Sequence, residues 1–261
     1  MNTIKLRIIF LVVGFAVLVL LSRSFSQVIS PARPPGPGPG GQPPFGPPPG
    51  PEVPPFSEQS RSALPVEEVA PGIYKLGEIQ IHKDTRSLIF PAQVNMDKGL
   101  LEYLIVRSTG KVHESLLRTD IEPFHLQIAF LLLGFEGTDH PIRHQGSPET
   151  PTGDPVEIAI TYRKGGEGQE QKIGAHEWVA NKIENQLKDV GALKWVYTGS
   201  QIFDGRFLAQ AEGSIVALWH DPVALVDNAS PGGESNKIWF VKEGTCPPVG
   251  TPVTIIIKGK N

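Results

Sequence analysis

The sequence predicts an α+β domain made mainly of antiparallel β-hairpins with two or three helices between them, a single domain after an N-terminal region with no core. Three observations predict it. Short runs in which apolar and polar residues alternate recur from residue 78 to residue 258, separated by turns rich in Gly, Asp, Asn and Pro. Two segments, 123–134 and 175–181 (extending to 189 if the spacing continues), carry the apolar spacing of helices. Strands do not alternate with regular crossover helices and no segment repeats, which disfavours a doubly wound α/β sheet.

Residues 1–26 read as an export signal. Lys5 and Arg7 precede an unbroken apolar run over residues 8–21, and Ser24 and Ser26 offer small residues for cleavage before Gln27. The run is shorter than the roughly 20 residues that span a bilayer. An uncleaved N-terminal anchor is the alternative, and it would be the protein's sole membrane contact. Residues 27–59 form a Pro/Gly-rich spacer: of the 25 residues from 31 to 55, 13 are Pro and six are Gly. Such a composition buries too little apolar surface to offset chain entropy, and it favours extended polyproline segments. The globular part begins near residue 60 and runs to 261.

Within it, residues 78–83 and 88–94 alternate around a turn at Asp84-Thr85 and predict a strand pair. Residues 100–107 and 111–117 predict a second hairpin, with Gly110 at the left-handed position of its loop. Residues 123–134 are almost wholly apolar from Leu126 to Leu133 and predict a short buried helix; Thr119 with Glu122 suits a capping box, and Gly134 a stop. Residues 136–155 read as a loop. Residues 156–163 and 171–174 predict a hairpin around Gly165-Gly166. Val179, Ile183, Leu187 and Val190 then predict the second helix. Residues 194–198, 202–211 (broken at Asp204-Gly205), 214–219, 237–241 and 253–258 predict the remaining strands.

Composition excludes several functions. A formal charge of −3 without a basic stripe excludes nucleic acid as the partner. A single cysteine, Cys246, excludes an intramolecular disulfide and any all-cysteine cluster, and no cofactor fingerprint is present. The densest polar run is Lys111 to Ser115. In a strand, His113 and Ser115 share a face roughly 6.6 Å apart, too far for a nucleophile and its base. Antiparallel pairing would set His113 opposite Ile105, Glu114 opposite Leu104 and Ser115 opposite Tyr103, with Glu102 diagonal to Glu114. His113, Glu114 and Ser115 are therefore the catalytic candidates, Glu114 as a buried acid. Metal candidates are His176, His220 and Asp221, because His113, His176 and His220 are each followed by an acid. None has the i, i+4 spacing of a helical zinc site.

Six stretches, IFPAQVN from Ile89, GLLEYLIV from Gly99, GKVHESLL from Gly110, LLLG from Leu131, WVYTGS from Trp195 and GTPVTIII from Gly250, resemble the YdjY-like domain family. They bracket nearly the whole globular part. The resemblance implies an exported envelope or periplasmic domain, and it brings no catalytic residues. A ferredoxin-like label attached to some relatives would require more cysteines than this chain has. The sequence therefore predicts an exported cell-envelope module that binds an envelope protein or wall component. The alternative is a hydrolase or acid–base enzyme at His113, Glu114 and Ser115, with or without a metal.

Overall fold

Burial alternates along the longest strands, Ser87–Val94, Asp154–Arg163 and Pro252–Gly259, as expected of a β protein. The structure, a computed structural model, describes residues 65–163 and 168–260. The predicted signal (1–26) and spacer (27–59) lie outside the described residues. Strands β1 (Val66–Ala70), β2 (Ile73–Leu76), β3 (Ile79–His82) and β4 (Ser87–Val94) form an antiparallel meander. In β4, Leu88, Phe90, Ala92 and Val94 point into the core while Pro91 and Gln93 are exposed, the period of two expected of a half-covered strand.

The chain continues through β5 (Tyr103–Arg107), β6 (Ser115–Thr119), helix α1 (Pro123–Leu132), β7 (Asp154–Arg163), β8 (Glu170–Gly174), β9 (Val179–Ile183) and β10 (Gln186–Asp189). It ends with β11 (Trp195–Tyr197), β12 (Ile202–Phe203), β13 (Arg206–Phe207), helix α2 (Leu208–Glu212), β14 (Ser214–Ala217), β15 (Val226–Asn228), β16 (Trp239–Val241) and β17 (Pro252–Gly259). Eight strands pair in a ring, β4-β17-β7-β11-β15-β14-β5-β6, and β6 pairs back onto β4. This is a closed barrel. The meander β3-β2-β1 extends from β4, β8 flanks β7, and β10-β9-β16 form a separate small sheet.

Closure corrects the α+β expectation. Among the described residues only two α-helices occur, with 3-10 turns at Val112–Glu114 and Ala175–Trp178. The second predicted helix is instead a 3-10 turn followed by the β9–β10 hairpin. Its apolar spacing mimics a helix, but Glu184 and Asn185 both adopt positive φ (51° and 63°), the two-residue turn whose twist matches a hairpin. Residues 208–211, predicted as strand, lie in α2. The predicted hairpin over 100–117 fails as well: β5 and β6 run parallel. The first predicted helix is present as α1, closed by Gly134 at φ 69°. Thr119 does not cap it; its hydroxyl donates to the Pro91 carbonyl instead. On α1, Phe130 stacks on Tyr197 of β11 at 4.3 Å between ring centres, which fixes the helix to the barrel.

Candidate functional site

The two parallel pairs of the barrel are joined by short crossovers, residues 108–114 between β5 and β6 and residues 218–225 between β14 and β15. Parallel neighbours ordinarily need a connection of roughly a dozen residues or more. Because β14 is antiparallel to β5, the first crossover returns to the start of β5 just where the second departs. The Glu102 N–H donates to the Glu114 carbonyl at 2.9 Å, and the Glu102 carbonyl accepts from Leu218 N (2.8 Å) and Trp219 N (3.0 Å). One backbone position thus ties both crossovers together.

A buried polar network grows from that tie. Tyr103, fully buried, donates from Oη to Asp221 Oδ2 at 2.7 Å and accepts from Lys111 Nζ (2.7 Å) and Gln145 Nε2 (2.9 Å). Burial, then the Asp221 charge, pushes the Tyr103 phenol well above its ordinary range, so it stays a donor. Asp227 Oδ2 accepts the Asp221 N–H (2.9 Å) and its Oδ1 the Asn228 N–H (2.7 Å). Those amides favour the charged form, yet burial outweighs them and holds the Asp227 carboxyl well above the usual carboxylate range. The His220 nitrogens face the carbonyl oxygens of Ser147 (2.7 Å) and Asn228 (2.9 Å), and the ring is 2% exposed. Neither nitrogen is open to an ion.

The sequence-predicted triplet sits at the edge of this network. Val112–Glu114 is a 3-10 turn, so His113 and Ser115 do not share a strand face. His113 is 78% exposed, with Nε2 3.5 Å from Glu114 Oε2. Ser115 is fully buried, and its hydroxyl donates to the Leu117 carbonyl at 2.7 Å, which removes it as a nucleophile. Glu114 neighbours Glu102, and Asn236 Nδ2 donates to Glu102 Oε1 at 3.1 Å. Burial and the neighbouring Glu114 charge raise Glu102, while Asn236 and Lys111 oppose the rise. Chemically this is a carboxyl pair able to hold a proton between its members. Asn236 and Asp227 carried no motif, and nothing in the sequence set Lys111 on the Tyr103 hydroxyl, since only the fold brings these groups together.

His176 lies elsewhere, in an open groove of about 370 Å³ where the 3-10 turn before β9 faces the β7–β8 hairpin. Tyr162, Gln171, Ile173, Trp178, Asp189 and Lys242 also line it. His220 and Asp221 belong to the buried network and not to this groove. Among the described residues, no three His, Cys, Asp or Glu side chains are grouped to hold a metal ion.

The YdjY domain model matches residues 79–258, from the first residue of β3 to the penultimate residue of β17, and covers both the network and the groove. No curated protein and no solved structure matches the chain.

Proposed function

The chain belongs to the YdjY domain family, and from that premise we propose that it is an exported cell-envelope module that works by binding, with the groove beside His176 as its contact site. The observation that carries this reading is a contrast between the two polar regions. In the crossover network Tyr103, Asp221 and Asp227 bond to one another or to nearby backbone, and Ser115 and His220 are committed to backbone carbonyls. In the groove, polar groups adjoin open space of ligand size, within the roughly 300–1,000 Å³ of small-molecule sites. The apolar N-terminal run over residues 8–21 and the Pro/Gly-rich spacer support export and placement away from a membrane or wall. Sedimentation of the full chain with isolated envelope material tests the reading. Wild-type protein should co-sediment, Tyr162→Leu should reduce the bound fraction, and Glu114→Gln should not. Equal binding by the wild type and Tyr162→Leu would count against the groove, and cytosolic fractionation against export.

The Glu102–Glu114 pair favours a second reading, acid–base chemistry on an envelope substrate, because a raised carboxyl beside a second one is the arrangement such catalysis uses. It predicts an activity abolished in both Glu102→Gln and Glu114→Gln.

A further inference from the structure

The groove's chemistry restricts what can occupy it. Lys242 Nζ is paired with Asp189 Oδ1 at 2.7 Å, so its charge is committed. Among the described residues, the remaining carboxyl on the rim is Glu177, and no unpaired Lys or Arg lines the space. Among the described residues, a phosphate or carboxylate would meet no free Lys or Arg there. A purely apolar ligand fits no better, because it would cover polar groups without replacing their bonds to water.

The polar groups have both donor and acceptor capacity to spare. The Tyr162 hydroxyl donates to Gln171 Oε1 at 2.8 Å, which leaves the Gln171 amide N–H groups and the Tyr162 oxygen lone pairs available. Glu177 Oε1 accepts the Gly174 N–H at 2.8 Å, leaving its second oxygen. The His176 ring lies against Gly174 so closely that a Cβ there would come within 2.5 Å of its Cε1, and its position depends on that glycine. The wall is aromatic and aliphatic: Tyr162 stands edge-on to Trp178, with ring centres 5.0 Å apart, beside Ile173 and Val179. Trp178 is only 2% exposed, so Tyr162 supplies the accessible aromatic surface.

A ligand with C–H faces for an aromatic wall, hydroxyls that both donate and accept, and no net charge is a saccharide. We infer that this groove is a saccharide subsite that takes a neutral stretch of an envelope glycan against Tyr162. Gln171, His176 and Glu177 bond the hydroxyls. The inference rests on the binding-module reading and names its ligand class.

Full-chain protein carrying 15N-labelled tryptophan, with the Trp178 indole signal identified through Trp178→Phe, provides the test. Three probes are titrated separately: short neutral oligosaccharides of α- and β-linked series, inorganic phosphate, and a lysine-rich peptide. At least one oligosaccharide series should shift the Trp178 signal saturably. Tyr162→Leu and Gln171→Ala should each weaken that binding by about tenfold, as expected for loss of a ring contact or a hydrogen bond. Gln171 is exposed, so its variant keeps the test valid even if Tyr162→Leu unfolds. Glu67→Gln, an exposed position on β1, should leave the titration unchanged. A Trp178 response to phosphate or the peptide, and none to any oligosaccharide, overturns the saccharide assignment and keeps the groove as a binding site. Saccharide binding indifferent to Gln171→Ala moves the site elsewhere and also overturns it. No response to any probe, together with envelope sedimentation indifferent to the groove variants, overturns both the assignment and the reading beneath it.

Discussion

Glu102 illustrates how a residue of ordinary chemistry acquires an unusual one through its neighbours. Its carboxyl is raised in the folded protein by burial and by Glu114. A group with a raised folded value contributes its stability below its unfolded titration range and loses it as pH rises through the folded value. The wild type should therefore forfeit stability as pH rises above the usual carboxylate range, on this group's account. Glu102→Gln, which keeps the Asn236 contact, should raise the neutral-pH Tm by about 2 °C and flatten that part of the profile in calorimetric scans. A Tm that is lower at neutral pH and still pH-dependent would contradict the carboxyl pair. Cys246 is a second case. Burial pushes its thiol up to about 12, so it is a thiol rather than a thiolate at neutral pH. Iodoacetamide at pH 8 should label it slowly in native protein and rapidly in urea.

At the scale of elements, what the sequence could say depended on how local the deciding interaction was. The β3–β4 and β7–β8 hairpins were legible because alternation and a nearby turn are both written in one short stretch. Helix α1 was legible from its continuous apolar run. The β9–β10 hairpin was not: Ile183 and Leu187 are exposed at 46% and 50%, so their apolar spacing marks no core-facing helix stripe. The direction of β6 was not legible either, because its partner β5 supplies the same residue opposite Ser115, Tyr103, whether the strands run parallel or antiparallel. For the site, the sequence set Glu114 near Glu102 through an antiparallel diagonal, whereas the structure brings them together through a 3-10 turn beside parallel strands, and the Tyr103–Asp221 bond joins residues 118 positions apart. Turn geometry gives a prediction at this scale. Gly153, at the entry to β7, has φ 147°, and a Cβ there would lie 2.0 Å from the Tyr197 carbonyl oxygen of β11. Gly153→Ala should cost about 3 kcal/mol in urea denaturation, through strain and a broken β7–β11 contact.

For the molecule as a whole, the α+β expectation failed because no stretch of sequence announces ring closure. The closing pair β4–β6 is recorded by only two residue partners, Gln93 with Arg118 and Val94 with Leu117. By contrast, β17 is laddered along its length to β4 on one side and to β7 on the other. Opening free energies follow such differences in pairing and burial. Native-state hydrogen exchange should therefore find the β17 amides among the slowest, and the amides of β1 and β8, each paired on one side only, among the fastest.

The position of β17 in the ring also bears on when the protein can fold. This stave comes from residues 252–259, more than 150 positions after its neighbour β4, and without it β4 and β7 face each other across a gap. Everything upstream can be synthesised and still lack a finished wall. The ring cannot be completed until residues 252–259 have been made, so closure is a late event in the life of each new polypeptide.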